Sequence, residues 1–137
     1  MDLKKVIRGV PDFPKPGILF FDITTLMADP AAFRYVLDDW QKRYQGKVDA
    51  VVGVEARGFV FGGAMADRLG VKFVPARKPK KLPYKTIRQE YELEYGIDAL
   101  EMHVDALQKG ERVVIVDDLL ATGGTCQAVA KMCEHHG

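Results

Sequence analysis

The sequence predicts an α/β protein in which a parallel sheet is flanked by helices. Two short, nearly continuous apolar runs, Asp49-Ala50-Val51-Val52-Gly53-Val54-Glu55 and Arg112-Val113-Val114-Ile115-Val116-Asp117-Asp118, carry the pattern of strands buried on both faces. Each is followed, after a turn containing glycine, by a segment with helical spacing of its apolar residues. Strands alternating with helices build a parallel sheet. A length of 137 residues suits one domain, enough for a real core and too little for two ordinary ones.

Composition removes several function classes. Lys and Arg number 20 against 19 Asp and Glu, a net charge of +1, so no polyelectrolyte signal points to nucleic acid or a membrane surface. No apolar run approaches the ~20 residues that cross a bilayer. The start, Met1-Asp2-Leu3-Lys4-Lys5, lacks the apolar stretch of a secretory signal, which makes the cytoplasm the expected location. Cys126 and Cys133 do not form a disulfide framework, and no His/Cys set has zinc-site spacing. Seven apart on one helical face, the two cysteines read as small buried hydrophobes.

The elements follow in order. Pro11-Asp12-Phe13-Pro14-Lys15-Pro16-Gly17 holds three of the seven prolines, which forbids helix or central strand and predicts a stiff, extended segment. Asp29-Pro30 reads as an N-cap with proline at the first helical position. Phe33, Val36, Leu37, Trp40 and Tyr44 continue that helix to Gly46. After the strand at 49–55, Arg57-Gly58 is expected to make a turn and residues 59–69 a helix with Phe61, Ala64, Met65 and Leu69 inward, stopped by Gly70. Val71 to Pro75 form the next strand. Residues 77–88, with Arg77, Lys78, Lys80, Lys81, Lys85 and Arg88, show no periodicity and read as a mobile basic loop. Two alternating stretches around Tyr91, Leu93, Tyr95 and Leu100, Met102, Val104 predict a β-ribbon. The strand at 112–118 and a helix from Gly124 complete the order. The chain stops at Glu134-His135-His136-Gly137, directly after that helix, where another strand would normally follow, so the fold reads as truncated at its C-terminal end.

The strongest chemical signal is Val113 to Thr125. Its four β-branched residues are expected to be buried and to deliver Asp117 and Asp118 to the carboxyl end of a strand, where open α/β sheets bind ligands. Adjacent strand residues face opposite ways, so these acids cannot both be core groups. Ala121-Thr122-Gly123-Gly124-Thr125 then turns into a helix N-terminus. Gly123 and Gly124 allow close backbone approach, and free N–H groups with the Thr122 and Thr125 hydroxyls make a phosphate cradle. A capped turn with solvated acids is the bland alternative, and the hydroxyls flanking Gly-Gly beside two acids favour the cradle. No Lys-Ser or Lys-Thr follows the glycines, and G-x-G-x-x-G is absent, so neither a Walker A loop nor a dinucleotide fingerprint is present.

Val113 to Thr125 resembles the 5-phosphoribosyl-1-pyrophosphate (PRPP) motif of the type I phosphoribosyltransferases. Pro11 to Thr24, Gly53 to Gly62, Arg77 to Pro83 and Tyr91 to Gly96 are similar, in the same order, to the adenine phosphoribosyltransferases of that family. The resemblance covers nearly the whole chain. It implies a single domain over 1–137, with a hood segment at 1–28 and a PRPP-binding core at 29–137. It further implies transfer of the phosphoribosyl group from PRPP to adenine, giving AMP and pyrophosphate, by a cytoplasmic homodimer that binds no nucleic acid or membrane. A phosphoribosyltransferase for another base and a non-catalytic PRPP-binding regulator remain the alternatives.

The same resemblance assigns roles. Ala121 to Thr125 hold the 5-phosphate, and Asp117 and Asp118 accept from the ribose hydroxyls. Glu55, Ala56 and Arg57 form a second anion site, with a cis peptide expected at Glu55–Ala56 and Arg57 forking to pyrophosphate oxygens. Arg77, Lys78 and Lys81 gather around the leaving pyrophosphate, as part of a flexible catalytic loop. Glu94 approaches the purine and handles its proton, although alternation alone places it on a solvent face. Phe20 stacks on adenine and the Phe21 backbone reads the base edge. Glu94, Arg57 and Lys81 are thus the expected catalytic residues. Mg2+ is expected through PRPP oxygens and water, with no dedicated protein ligands.

Overall fold

The computed structural model describes residues 2–93, 96–117 and 124–135. They gather into two compact units, Met1–Arg43 and Tyr44–Gly137.

In the first unit, a 3-10 turn at Leu3–Lys5 precedes strands β1 (Arg8–Pro11) and β2 (Leu19–Asp22). These pair antiparallel, Arg8 opposite Asp22 and Pro11 opposite Leu19. The proline-rich stretch is therefore the connection of a hairpin and not one extended run. Asp12 at φ 57° and Gly17 at φ 87° reverse the chain, and the Gly17 N–H donates to Asp12 Oδ1 at 2.8 Å. The Phe13–Pro14 bond is cis. Prolines occupy the connection because they leave no ladder N–H unpaired there.

Helices α1 (Thr24–Met27) and α2 (Pro30–Tyr44) follow. Asp29 caps α2 as expected, its Oδ1 accepting from the Ala31 and Ala32 amides at 3.0 and 3.2 Å. Ala32 and Leu37 are its buried residues, while Phe33, Val36, Trp40 and Tyr44 are half-buried.

The second unit is built on β3 (Ala50–Val54), α3 (Arg57–Leu69), β4 (Lys72–Ala76), β5 (Thr86–Leu93), β6 (Gly96–His103), β7 (Val113–Val116) and α4 (Gly124–His135). A three-stranded parallel sheet has the order β4-β3-β7. Every residue of central β3 is buried, as a strand covered on both faces must be. Ala50, Val52 and Val54 join Val74, Ala76, Leu100, Met102, Val129 and Met132 in the core on one face, with Cys133 packed against it. On the other face Gly53 meets α3 at the Gly58 carbonyl and flanks the Phe73 ring with Gly62.

Several expectations change here. In β7 only Val116 is buried, and Val113, Val114 and Ile115 are half-buried, because β7 has β3 alone as its neighbour among the described residues. Arg57 and Gly58 open α3 and are not a turn before it, while Ala64 is half-buried and Ala66 takes its expected place inside. Residues 86–88 of the expected basic loop belong to β5, which pairs antiparallel with β6 from Thr86↔His103 to Leu93↔Gly96. The ribbon itself forms, with Leu100 and Met102 buried, but Val104 lies beyond the end of β6 and is exposed. Both cysteines are half-buried, and burial pushes the Cys133 thiol up to about 11.

Two consequences are measurable. A Cβ added at Gly58 would lie 2.7 Å from the Val116 carbonyl oxygen, a backbone atom that cannot swing aside. Gly58→Ala should cost about 1–3 kcal/mol in denaturant unfolding, as overpacking against backbone does. In the first unit, Asp22 accepts from the Thr24 hydroxyl at 2.6 Å, Arg8 Nη2 at 2.6 Å and Nε at 3.0 Å, and the Thr24 amide at 2.9 Å. The Thr24 hydroxyl foremost, then Arg8, lowers its carboxyl to about 2. Such a depressed group stabilises the fold above the unfolded pKa, about 3.9, and the contribution is lost as pH falls through about 2. Carbon-detected NMR should show a midpoint near 2 for Asp22, and Asp22→Asn should flatten the acid limb of unfolding between those values.

Candidate active site

Parallel pairing brings three strand ends together. Val54 lies beside Ala76, and Gly53 beside Val116, so Glu55, Arg77 and Asp117 leave the sheet from neighbouring strands at its carboxyl edge. The Glu55 amide donates to the Ala76 carbonyl at 3.1 Å, which holds the first two exits together. This is the edge at which open α/β sheets take their ligands.

At the end of β3 the Glu55–Ala56 peptide is cis, where the resemblance places it. Ala56 is the N-cap of α3 and supplies no side-chain cap. The first N–H groups of a 13-residue helix therefore point toward the strand ends with their positive dipole end. Arg57, half-buried, is the first residue of that helix. Gly58 lets the helix start press against the end of β7, so the α3 N-terminus and Asp117 are brought close.

The basic segment after β4 is anchored by acids. The Glu55 carboxylate, only 10% exposed, accepts from Lys81 Nζ at 2.8 Å through Oε2 and from the Lys78 amide at 2.6 Å through Oε1. Arg77 Nε lies 3.3 Å from the same Oε1, close enough for an ion pair though not aligned as a hydrogen bond. Burial pushes the Glu55 carboxyl up, but the hydrogen bonds from Lys81 and the Lys78 amide, with the charges of Lys81 and Arg77, bring it below its ordinary value. Glu55 thus stays ionised at neutral pH. Arg77 exchanges backbone hydrogen bonds with Glu101, and the Lys80 amide donates to Glu101 Oε1 at 3.1 Å. Lys78 Nζ is paired with Asp98 Oδ2 at 2.7 Å. The Arg77 guanidinium also lies over the Phe59 ring, 5.6 Å from its centroid.

Glu55, Ala56, Arg57, Arg77, Lys78, Lys81 and Asp117 are all at or beside this edge. Glu94, Asp118, Ala121, Thr122 and Gly123 lie outside the described residues, and Gly124 and Thr125 open the helical backbone of α4. Phe20 and Phe21 are in the first unit, on β2, and face opposite ways. Phe21 is 63% exposed, and Phe20 is half-buried with its ring edge-on to Phe13 at 5.2 Å. The role of Asp98 and Glu101 is not legible in the sequence, since each acts on a residue about 20 positions away. Glu101 falls on the polar side of an alternating stretch and Asp98 in the link before it, so neither carries a local sign of its partner.

Chemically, the edge offers an open helix N-terminus, cations from a second strand end and a carboxylate from a third. That set suits a ligand with separate phosphate groups and a polyol between them.

Known proteins similar in sequence and fold fit this chemistry. The model of the phosphoribosyl transferase domain matches residues 30–137. The adenine phosphoribosyltransferase of Solibacter usitatus is 61% identical over 137 residues, 99% of this chain and 79% of that protein. The enzyme of that name from Acetivibrio thermocellus is 58% identical, covering 100% of this chain and 81% of its own length. Among solved structures, the adenine phosphoribosyltransferase of Thermoanaerobacter pseudethanolicus superposes with a TM-score of 0.94 at 56% identity, covering 99% of this chain and 80% of that one. The Saccharomyces cerevisiae enzyme, solved with adenine and an imino-altritol bisphosphate, gives 0.93 at 40% identity over 98% of this chain and 79% of that one. The fold expected from the sequence is thereby established, and the chain belongs to the phosphoribosyltransferase family, within its adenine phosphoribosyltransferases.

Proposed function

We propose that the chain catalyses transfer of the phosphoribosyl group from PRPP to adenine, at the carboxyl ends of β3, β4 and β7. The observation that carries this is the convergence there of the uncapped α3 N-terminus, the Arg77–Lys81 cations and Asp117. In the reaction the bond from the anomeric carbon to pyrophosphate breaks, a bond from that carbon to adenine N9 forms, and the N9 proton leaves. Positive charge develops on the ribosyl group while negative charge grows on pyrophosphate. Positioning and charge stabilisation are then the main tasks of the protein.

Each residue has a part in that reading. Arg57 forks to two pyrophosphate oxygens at the N-terminus of α3, which has no side-chain cap. Glu55 and Ala56 contribute main chain, since the Glu55 carboxylate is already committed to Lys81 and Lys78 and would repel an anion. Arg77, Lys78 and Lys81 neutralise the leaving group, and Lys81 with Arg57 acts on it directly. Asp117 and Asp118 accept from the ribose hydroxyls, which fixes the sugar, and Ala121 to Thr125 hold the 5-phosphate. Glu94 takes the purine proton. Phe20 stacks on adenine and the Phe21 backbone reads its edge, where N6 donates beside accepting ring nitrogens. Water is excluded when the basic segment closes, which protects the activated sugar from hydrolysis.

Among the described residues no three His, Cys, Asp or Glu side chains converge as a metal cage. The acceptors at this edge, a single described aspartate with PRPP's own oxygens, suit an ion that keeps several waters, which is the habit of Mg2+. When bound, Mg2+ neutralises charge on the pyrophosphate. No helix of the described residues is long and apolar enough to cross a membrane. Cytoplasmic location and a homodimeric state belong to the same reading, and rest on the family resemblance.

Pyrophosphate release with adenine and PRPP tests the assignment, and hypoxanthine and guanine should substitute poorly because their position 6 presents an acceptor where adenine donates. Arg57→Ala should lower kcat/KM for PRPP by about 10- to 100-fold, the worth of a charged, two-pronged hydrogen bond. Unchanged kinetics would remove Arg57 from the site. Asp118→Asn should weaken PRPP binding in titration calorimetry while the circular dichroism spectrum stays that of the parent chain; a collapsed spectrum would make Asp118 structural.

A further inference from the structure

We infer that Asp98 is a positioning residue for the transfer reaction: it fixes the Lys78 ammonium at the carboxyl edge of the sheet, and so sets the affinity for PRPP. The inference rests on the reading above that Lys78 contacts the pyrophosphate group.

Asp98 is on β6, directly opposite Tyr91 of β5. Its Oδ1 accepts from the Ala99 amide at 2.8 Å, and its Oδ2 lies 3.5 Å from the Tyr91 hydroxyl. The carboxylate is therefore oriented by its own strand and by the strand across the ribbon before Lys78 is counted. Lys78 Nζ donates to Oδ2 at 2.7 Å. At its other end, the Lys78 amide donates to Glu55 Oε1 at 2.6 Å. One lysine is thus tied by its backbone to the end of β3 and by its head group to the ribbon.

A lysine side chain has four rotatable carbons and loses much rotamer freedom when its ammonium is fixed on a ligand. Asp98 imposes that ordering beforehand, which is preorganisation in the ordinary sense. The ammonium has three donors, of which Asp98 takes one, so the remainder can reach phosphoryl oxygens. The hydrogen bond that Lys78 donates to Asp98 also raises the Lys78 pKa, favouring the charged form further.

The test is a double-mutant cycle on the full chain, read as the PRPP dissociation constant by calorimetry in the presence of Mg2+, with thermal midpoints alongside. Asp98→Asn should weaken PRPP binding about 3- to 10-fold, the scale of a charge-assisted hydrogen bond at a half-exposed site. Asp98→Glu, which keeps the charge, should recover most of it. In a Lys78→Met background, Asp98→Asn should add less than twofold. Equal weakening in both backgrounds overturns the inference, as does a loss that Asp98→Glu fails to recover and that tracks a fall in thermal midpoint. If Lys78→Met weakens PRPP binding and Asp98→Asn does not, the positioning role alone fails. If Lys78→Met has no effect on PRPP, the pyrophosphate reading of Lys78 fails and the inference goes with it.

Discussion

Because β3 is hydrogen-bonded in parallel on both sides, the exits of three strands are set side by side, and the chemistry of the second unit depends on that alignment. β3 can take the central place because it offers only Ala, Val and Gly, small enough to be covered on both faces. Its register is pinned at the amino edge as well. There Arg112 donates through its amide to Asp49 at 2.7 Å and through its guanidinium to both carboxylate oxygens, while Lys72 pairs with Glu111 at 2.6 Å. Ion pairs at that edge lock strands; those at the opposite edge collect cations. The same residue types serve two purposes because a parallel sheet has two chemically different ends.

The electrostatics of the carboxyl edge follow from crowding. Arg77, Lys78, Lys80 and Lys81 fall within five positions of one another, and like charges that close repel. Glu55, Asp98 and Glu101 offset this from three directions, each through a backbone amide or a charged head group. The segment is therefore held against the β3 end and the ribbon instead of standing as a solvated run. Glu55 is more enclosed than Asp98, and its cations more than compensate the burial that would otherwise protonate it. A carboxylate in this position excludes itself as an anion ligand and becomes a scaffold for the groups that are.

Most of the architecture was legible in the sequence, for physical reasons that apply residue by residue. Asp29-Pro30 marks a helix start because a carboxylate can cap and proline needs no N–H there, and both hold. Gly70 ends α3 at φ 69°, a conformation other residues resist. The alternation of Leu100 and Met102 placed them inside the ribbon. What periodicity could not show was pairing. The hairpin hidden in the proline-rich stretch depends on Val10 meeting Phe20, and the half-burial of Val113 to Ile115 depends on which strands flank β7. Nor could spacing reveal Asp98, whose partner is 20 positions away and which falls between the two alternating stretches. Contacts across such separations leave no local trace.

The glycines show how far the site's cations are set by packing remote from them. A Cβ at Gly53 would lie 2.6 Å from the Phe73 ring, and one at Gly62 would lie 2.8 Å from it, so Phe73 occupies space that only two glycines leave open. Phe59 stands edge-on to Phe73 at 5.8 Å between centroids, and the Arg77 guanidinium lies over Phe59. An attraction of this kind gives about 0.5–1 kcal/mol at an exposed site, too little to fix an arginine alone. Joined to the Glu55 ion pair and to the backbone bridge with Glu101, it confines Arg77 from three sides. The residue that leaves β4 at the carboxyl edge is thereby aimed from within the sheet: glycine admits a ring, the ring supports a second ring, and the second ring carries the charge.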